Sequence, residues 1–103
     1  MISEIHRRLS IEELKSIVKP IAEEYGVEKV YLFGSVAKGT HGEESDYDFC
    51  IEKGRVRDFF EFSAFYTDVE EAIGAKVDII TTRIKNTEFL DRIKEDWVLV
   101  YGE

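Results

Sequence analysis

The sequence predicts a small α/β fold, because strand-like and helix-like patterns alternate along one short chain. Three apolar runs, Glu28 to Phe33, Asp46 to Ile51 and Lys76 to Thr81, read as strands. Around them apolar residues recur at three- and four-residue spacing, the period of an amphipathic helix. Strand, helix, strand, helix, strand within 103 residues predicts a single domain over 1–103.

Leu9-Ser10-Ile11-Glu12-Glu13-Leu14 opens the first helix. Ser10 can cap it, Glu13 three residues on closes a capping box, and Leu9 with Leu14 can form a hydrophobic staple. Leu14, Ile17, Val18, Ile21 and Tyr25 make its apolar face. Pro20 falls inside that pattern, removes a backbone donor and predicts a kink, and Gly26 supplies the stop. After the first strand, Gly34-Ser35 turns the chain into a short helix through Val36, Ala37 and Lys38 to Gly39, followed by a polar loop from Thr40 to Ser45. A longer helix is expected from about Val56 to Ile73, with Phe59, Phe62, Tyr66, Val69 and Ile73 on one face. Asp58 with Glu61 offers a later capping box and hence a later start. Phe60 and Phe65 widen the apolar surface, either as a thick core face or as a partner-binding patch. Gly74 ends this helix. Asn86 can cap a last one through Phe89, Leu90 and Ile93, and Trp97 to Tyr101 reads as a closing strand.

The chemistry concentrates in Leu32 to Asp48, LFGSVAKGTHGEESDYD. Side chains alternate across a strand, so Asp46 and Asp48 project from one face. A carboxylate pair beside a Gly-Ser turn suits a divalent cation and a phosphate chain, and hard oxygen ligands suit Mg²⁺. Gly34, without a Cβ, lets the backbone approach a phosphate closely, and the first amides of the short helix would point at an anion. Asp78 interrupts the third apolar strand, facing opposite to Val77 and Ile79. Singly, each aspartate reads as a solvated strand residue or turn former. Set among apolar neighbours they would be expensive to bury unpaired, which favours a metal site.

G-S-x-A-K-G, a short spacer and S-D-x-D resemble the signature of the nucleotidyltransferase superfamily that includes DNA polymerase beta, most closely its minimal nucleotidyltransferases. Gly34, Ser35, Ala37, Lys38, Gly39, Ser45, Asp46 and Asp48 fall on the motif, and Asp78 matches the family's third carboxylate. Lys38 stands where many relatives have arginine, which keeps the charge and loses the bidentate fork. The resemblance implies a nucleotidyltransferase fold, a small mixed sheet flanked by helices. It also implies two Mg²⁺ ions bridged by Asp46 and Asp48. Asp78 would complete the metal nearer the acceptor and accept the proton of the attacking hydroxyl. Ser35 would donate to the β- and γ-phosphates. Lys38 is either their counter-charge or solvated at the helix end, and Ser45 either braces its strand or touches phosphate.

The resemblance further implies ATP as substrate and AMP transfer to a protein hydroxyl, in an antitoxin that adenylylates a tyrosine of a HEPN-domain toxin, as a homo-oligomer or a hetero-oligomer with that partner. The alternatives are an antitoxin acting by contact alone and, ranked last, nucleotidylation of a small molecule.

Composition narrows the partners. Acidic residues outnumber basic ones 22 to 14, for a net charge of −8. Binding to a nucleic-acid backbone calls for a basic face, so no direct nucleic-acid contact is expected. A protein with a basic surface suits this chain better. No apolar run approaches the roughly 20 residues that span a bilayer, so no membrane is expected. The single Cys50 cannot form an internal disulfide, which fits the cytoplasm. Cys50 reads as a small core residue alternating away from the aspartates, His41 as a solvated loop residue and His6 as terminal surface. No zinc spacing, P-loop or dinucleotide-binding glycine pattern is present.

Overall fold

A computed structural model describes residues 9–38 and 46–102, the side chains at 35 and 38 excepted. The elements are α1 (Ile11–Tyr25), β1 (Lys29–Phe33), α2 (Gly34–Lys38), β2 (Tyr47–Glu52), α3 (Phe59–Ile73), β3 (Val77–Thr81), α4 (Thr87–Lys94) and β4 (Val98–Tyr101). The sheet order is β3-β2-β1-β4. β1 runs antiparallel to both β2 and β4, while β2 and β3 are parallel, their crossover supplied by α3. This is the mixed sheet flanked by helices that the family resemblance implies, on the α/β pattern that the sequence predicts.

α1 begins as expected. Ser10 Oγ accepts from the Glu13 amide at 3.1 Å, and the Glu13 side chain accepts from the Ser10 amide at 2.8 Å. The helix runs unbroken across Pro20, which is exposed, and stops at Gly26 in the left-handed conformation.

The two faces of the sheet are unequally covered. Tyr47, Phe49 and Ile51 of β2 point into the main core, with Leu14, Val18 and Ala22 of α1 and Phe65 and Val69 of α3. On the other face a smaller cluster joins Phe33 and Cys50 to Leu90 and Ile93 of α4. Nearby, Tyr31 stacks on Trp97 with ring centroids 3.7 Å apart.

Each strand starts one residue later than expected, at Lys29, Tyr47, Val77 and Val98, which leaves Asp46 just ahead of β2, and β2 ends one residue later, at Glu52. The larger correction concerns α3. It takes the later start, because Asp58 caps it by accepting from the Glu61 amide at 2.9 Å, while the Glu61 side chain accepts from the Arg57 amide. Phe59 is then not core but 76% exposed, Phe60 is 82% exposed, and Phe65 is the buried member at 1%. Tyr25, the last residue of α1, meets Phe65 edge-on and donates its hydroxyl to Asp68 at 2.6 Å. Phe62, one turn before, also packs against the main core, so α3 buries the side that carries Phe62, Phe65 and Val69 and leaves Phe59 and Phe60 outside.

A Phe59→Ser/Phe60→Ser double variant should therefore change unfolding free energy by less than about 0.5 kcal/mol per site. Phe65→Ala should cost about 3–5 kcal/mol. Urea titrations of both read the difference, and a core-sized loss in the double variant would contradict the exposure.

No helix among the described residues is long and apolar enough to cross a membrane.

Candidate active site

The strand register brings two of the three aspartates together. Phe33, the last residue of β1, pairs with Asp48, and Asp48 pairs with Asp78. Partners in adjacent strands project from the same face, so Phe33, Asp48 and Asp78 form a row across three strands. The row lies on the face that α4 partly covers, at the ends where β2 and β3 begin. Asp48 is half-buried, Asp78 is exposed, and Asp46 is half-buried in the chain entering β2.

Gly34 stands directly against this row. Its φ is +81°, and a Cβ built on it would run into the Asp48 carboxylate. The sequence reading assigns this glycine to close approach of a phosphate; in the structure the group it approaches is Asp48. Gly34 also starts α2, so the same residue turns the chain and leaves room for the carboxylate.

The electrostatics follow from the crowding. Burial is the main cause that pushes the Asp48 carboxyl up to about 6, and the charges of Asp78 and Asp46 push the same way. Three carboxylates are hard oxygen donors, a set whose chemistry fits Mg²⁺. As placed, no three acidic, histidine or cysteine side chains among the described residues close into a metal-binding group. The structure thus shows a carboxylate pair with Asp46 within electrostatic reach, and not a finished three-ligand cage.

Two residues need reassignment. Cys50 does not face away from the aspartates: it lies two residues after Asp48 on the same strand face, buried with Phe33, Leu90 and Ile93. Its thiol is pushed up to about 11, chiefly by burial, with Glu52 adding and Lys94 opposing. A thiol so protonated is a core residue and not a nucleophile. The second is Tyr66, which spacing marks only as part of an apolar stripe. Its hydroxyl donates to the Val77 carbonyl at 2.8 Å and lies 3.5 Å from Asp78 Oδ1. Burial, and then the Asp78 charge, raise its pKa. The signal in the sequence is only that a tyrosine on a packed face needs a partner for its hydroxyl.

Ser45, Gly39 and His41 lie outside the described residues, as do His6 and the side chains of Ser35 and Lys38. The backbone of Ser35 and Lys38 belongs to α2.

Residues 15–103 match the family described as polymerase beta, nucleotidyltransferase. A Methanocaldococcus jannaschii protein assigned as a protein adenylyltransferase is 34% identical over 98 residues, covering 88% of this chain and 98% of that protein. A crystal structure of a toxin–antitoxin with AMP-PNP contains a chain of the same fold at a TM-score of 0.73 and 19% identity, over 86% of this chain and 73% of that one. A structure of a tri-AMPylated Shewanella oneidensis HEPN toxin in complex with an MNT antitoxin gives a TM-score of 0.69 at 14% identity, over 91% and 74%. With the glycine turn, the Asp48–Asp78 pair and the mixed sheet in place, the chain belongs to the polymerase beta nucleotidyltransferase family and is a nucleotidyltransferase.

Proposed function

We propose that this chain is a Mg²⁺-dependent protein adenylyltransferase that moves AMP from ATP to a tyrosine hydroxyl of a HEPN-type toxin, and so acts as an antitoxin. The observation that carries the chemistry is the row Asp48–Asp78, with Gly34 packed beneath Asp48. The choice of ATP and of a toxin acceptor is supported by similar proteins: a relative assigned as a protein adenylyltransferase, and same-fold chains from structures that hold AMP-PNP or an AMPylated HEPN toxin.

Asp46, Asp48 and Asp78 would hold Mg²⁺, which supplies charge stabilisation for the attacking and leaving oxygens of an in-line displacement. Asp78, exposed at the edge of the row, is open to an incoming hydroxyl and would accept its proton. The acceptor oxygen then bonds to the α-phosphorus as the bond to the β-phosphate oxygen breaks, and pyrophosphate leaves. Asp48, half-buried between Phe33 and Gly34, is fixed where it can orient the phosphate side. Gly34 and the amides of Ser35 and its successors would lie along the phosphate chain, with Lys38 and Ser45 as further contacts. Asp78 is exposed, which leaves its carboxylate within reach of a hydroxyl brought by a partner protein.

An Asp78→Asn variant should retain the fold and lose transfer of label from α-labelled ATP to the partner toxin. Transfer at the wild-type rate would overturn the mechanism. A silent variant that still neutralises the toxin would favour the contact-only antitoxin.

A further inference from the structure

We propose that Tyr66 is a positioning residue that holds Asp78 in place at the open edge of the sheet, a role that rests on the reading of Asp78 as part of the active site. Among the described residues β3 is an edge strand, with only β2 beside it. Along their shared border the Tyr47 amide donates to the Lys76 carbonyl at 3.2 Å. Peptide groups alternate in direction along a strand, so the carbonyl of Lys76 faces β2 and that of Val77 faces the free edge. Edge strands carry such unpaired groups and fray most readily. Here the outward carbonyl is met by the Tyr66 hydroxyl at 2.8 Å, and the same oxygen lies 3.5 Å from Asp78 Oδ1.

One phenol thus ties down the backbone just before Asp78 and stands beside its carboxylate. The ring is itself anchored: Tyr66 packs against the main core and meets Phe62 edge-on with centroids 6.0 Å apart. Asp78 needs this support because it is exposed, whereas Asp48 is held between strands and against Gly34. Catalytic groups must stay within about 0.5 Å of their working position, and an unbraced aspartate on a fraying edge would not.

The test compares wild type, Tyr66→Phe, Phe62→Leu and Asp78→Asn. Tyr66→Phe should keep the far-ultraviolet spectrum and the KM for ATP. It should lower kcat and the affinity for Mn²⁺, titrated alone by calorimetry, by about 10–100-fold, the usual effect of losing a residue that orients a ligand. Amide hydrogen exchange at Asp78 should quicken while exchange in β1 stays unchanged. Phe62→Leu, which loosens the same packing but keeps the hydroxyl, should lower stability without changing Mn²⁺ affinity. If Tyr66→Phe matches wild type in exchange at Asp78 and in Mn²⁺ affinity while Asp78→Asn abolishes transfer, the positioning role is overturned and the enzymatic reading survives. If Asp78→Asn itself transfers normally, the enzymatic reading fails, and exchange at Asp78 still decides whether Tyr66 braces the strand.

Discussion

Asp48→Asn is expected to make the protein more stable and inactive at the same time. The Asp48 carboxyl rises from 3.8 to about 6, first because it is half-buried and then because Asp78 and Asp46 add negative charge. At about 1.4 kcal/mol per pH unit the full shift would correspond to ~3 kcal/mol, and solvent screening at a partly exposed site reduces this to about 1–2 kcal/mol. The sign follows from linkage. The folded carboxyl holds its proton more tightly than the unfolded one, so between about pH 4 and pH 6 the folded state binds more protons. Stability from this group is therefore present below pH 4, is lost as pH rises through 6, and stays lost at pH 7. Asparagine keeps the shape and removes the charge.

In metal-free buffer, urea titration should find the variant about 1–2 kcal/mol more stable than wild type at pH 7 and nearly equal to it at pH 4. Transfer from ATP should fall by roughly 10³-fold, the scale of losing several kcal/mol of transition-state stabilisation. A variant no more stable at pH 7 would show that Asp48 is well solvated. A variant that still transfers would remove it from the site. Stability and activity pulling in opposite directions is the mark of a group kept for chemistry at the expense of the fold.

How far the sequence reaches can be judged from single residues. Ser10 and Glu13 are legible because a capping box is a local arrangement, and local chemistry decides it. Asp46, Asp48 and Asp78 are singled out together by the motif resemblance, and the register places Asp48 beside Asp78. Phe59 is read as core and is exposed, because α3 carries apolar residues on more than one side, whereas Phe65, read as either thick core face or partner-binding patch, is core. Packing against elements remote in sequence, α1 among them, decides which side is covered. The facing of Cys50 follows from strand parity alone, and its assignment away from the aspartates conflicts with the two-residue period. The Tyr66 bond to Val77 depends on which strand lies at the edge, which no spacing within α3 reveals.

Gly34→Ala is the second variant with a large expected effect, and Gly74→Ala is its natural control. Both glycines sit in the left-handed region, at φ +81° and +75°. Their surroundings differ: a Cβ at Gly74 meets nothing within 4 Å, whereas one at Gly34 runs into the Asp48 carboxylate. The conformational cost of alanine in this region, ~1–2 kcal/mol, is common to both. Gly34→Ala carries the steric conflict in addition and should cost roughly 3 kcal/mol in all. It should also abolish Mg²⁺-dependent ATP binding, because Asp48 must move aside. In an Asp48→Ala background the methyl group has room, so there Gly34→Ala should cost no more than Gly74→Ala does. The double-mutant cycle would then show a coupling of about 1–2 kcal/mol. A coupling near zero would mean that the Asp48 side chain yields freely to the added methyl, and the need for glycine would then lie in its backbone angle and its approach to phosphate. A large coupling would mean that the turn after β1 and the carboxylate on β2 are built as one unit. The glycine would then serve the aspartate before it serves any nucleotide.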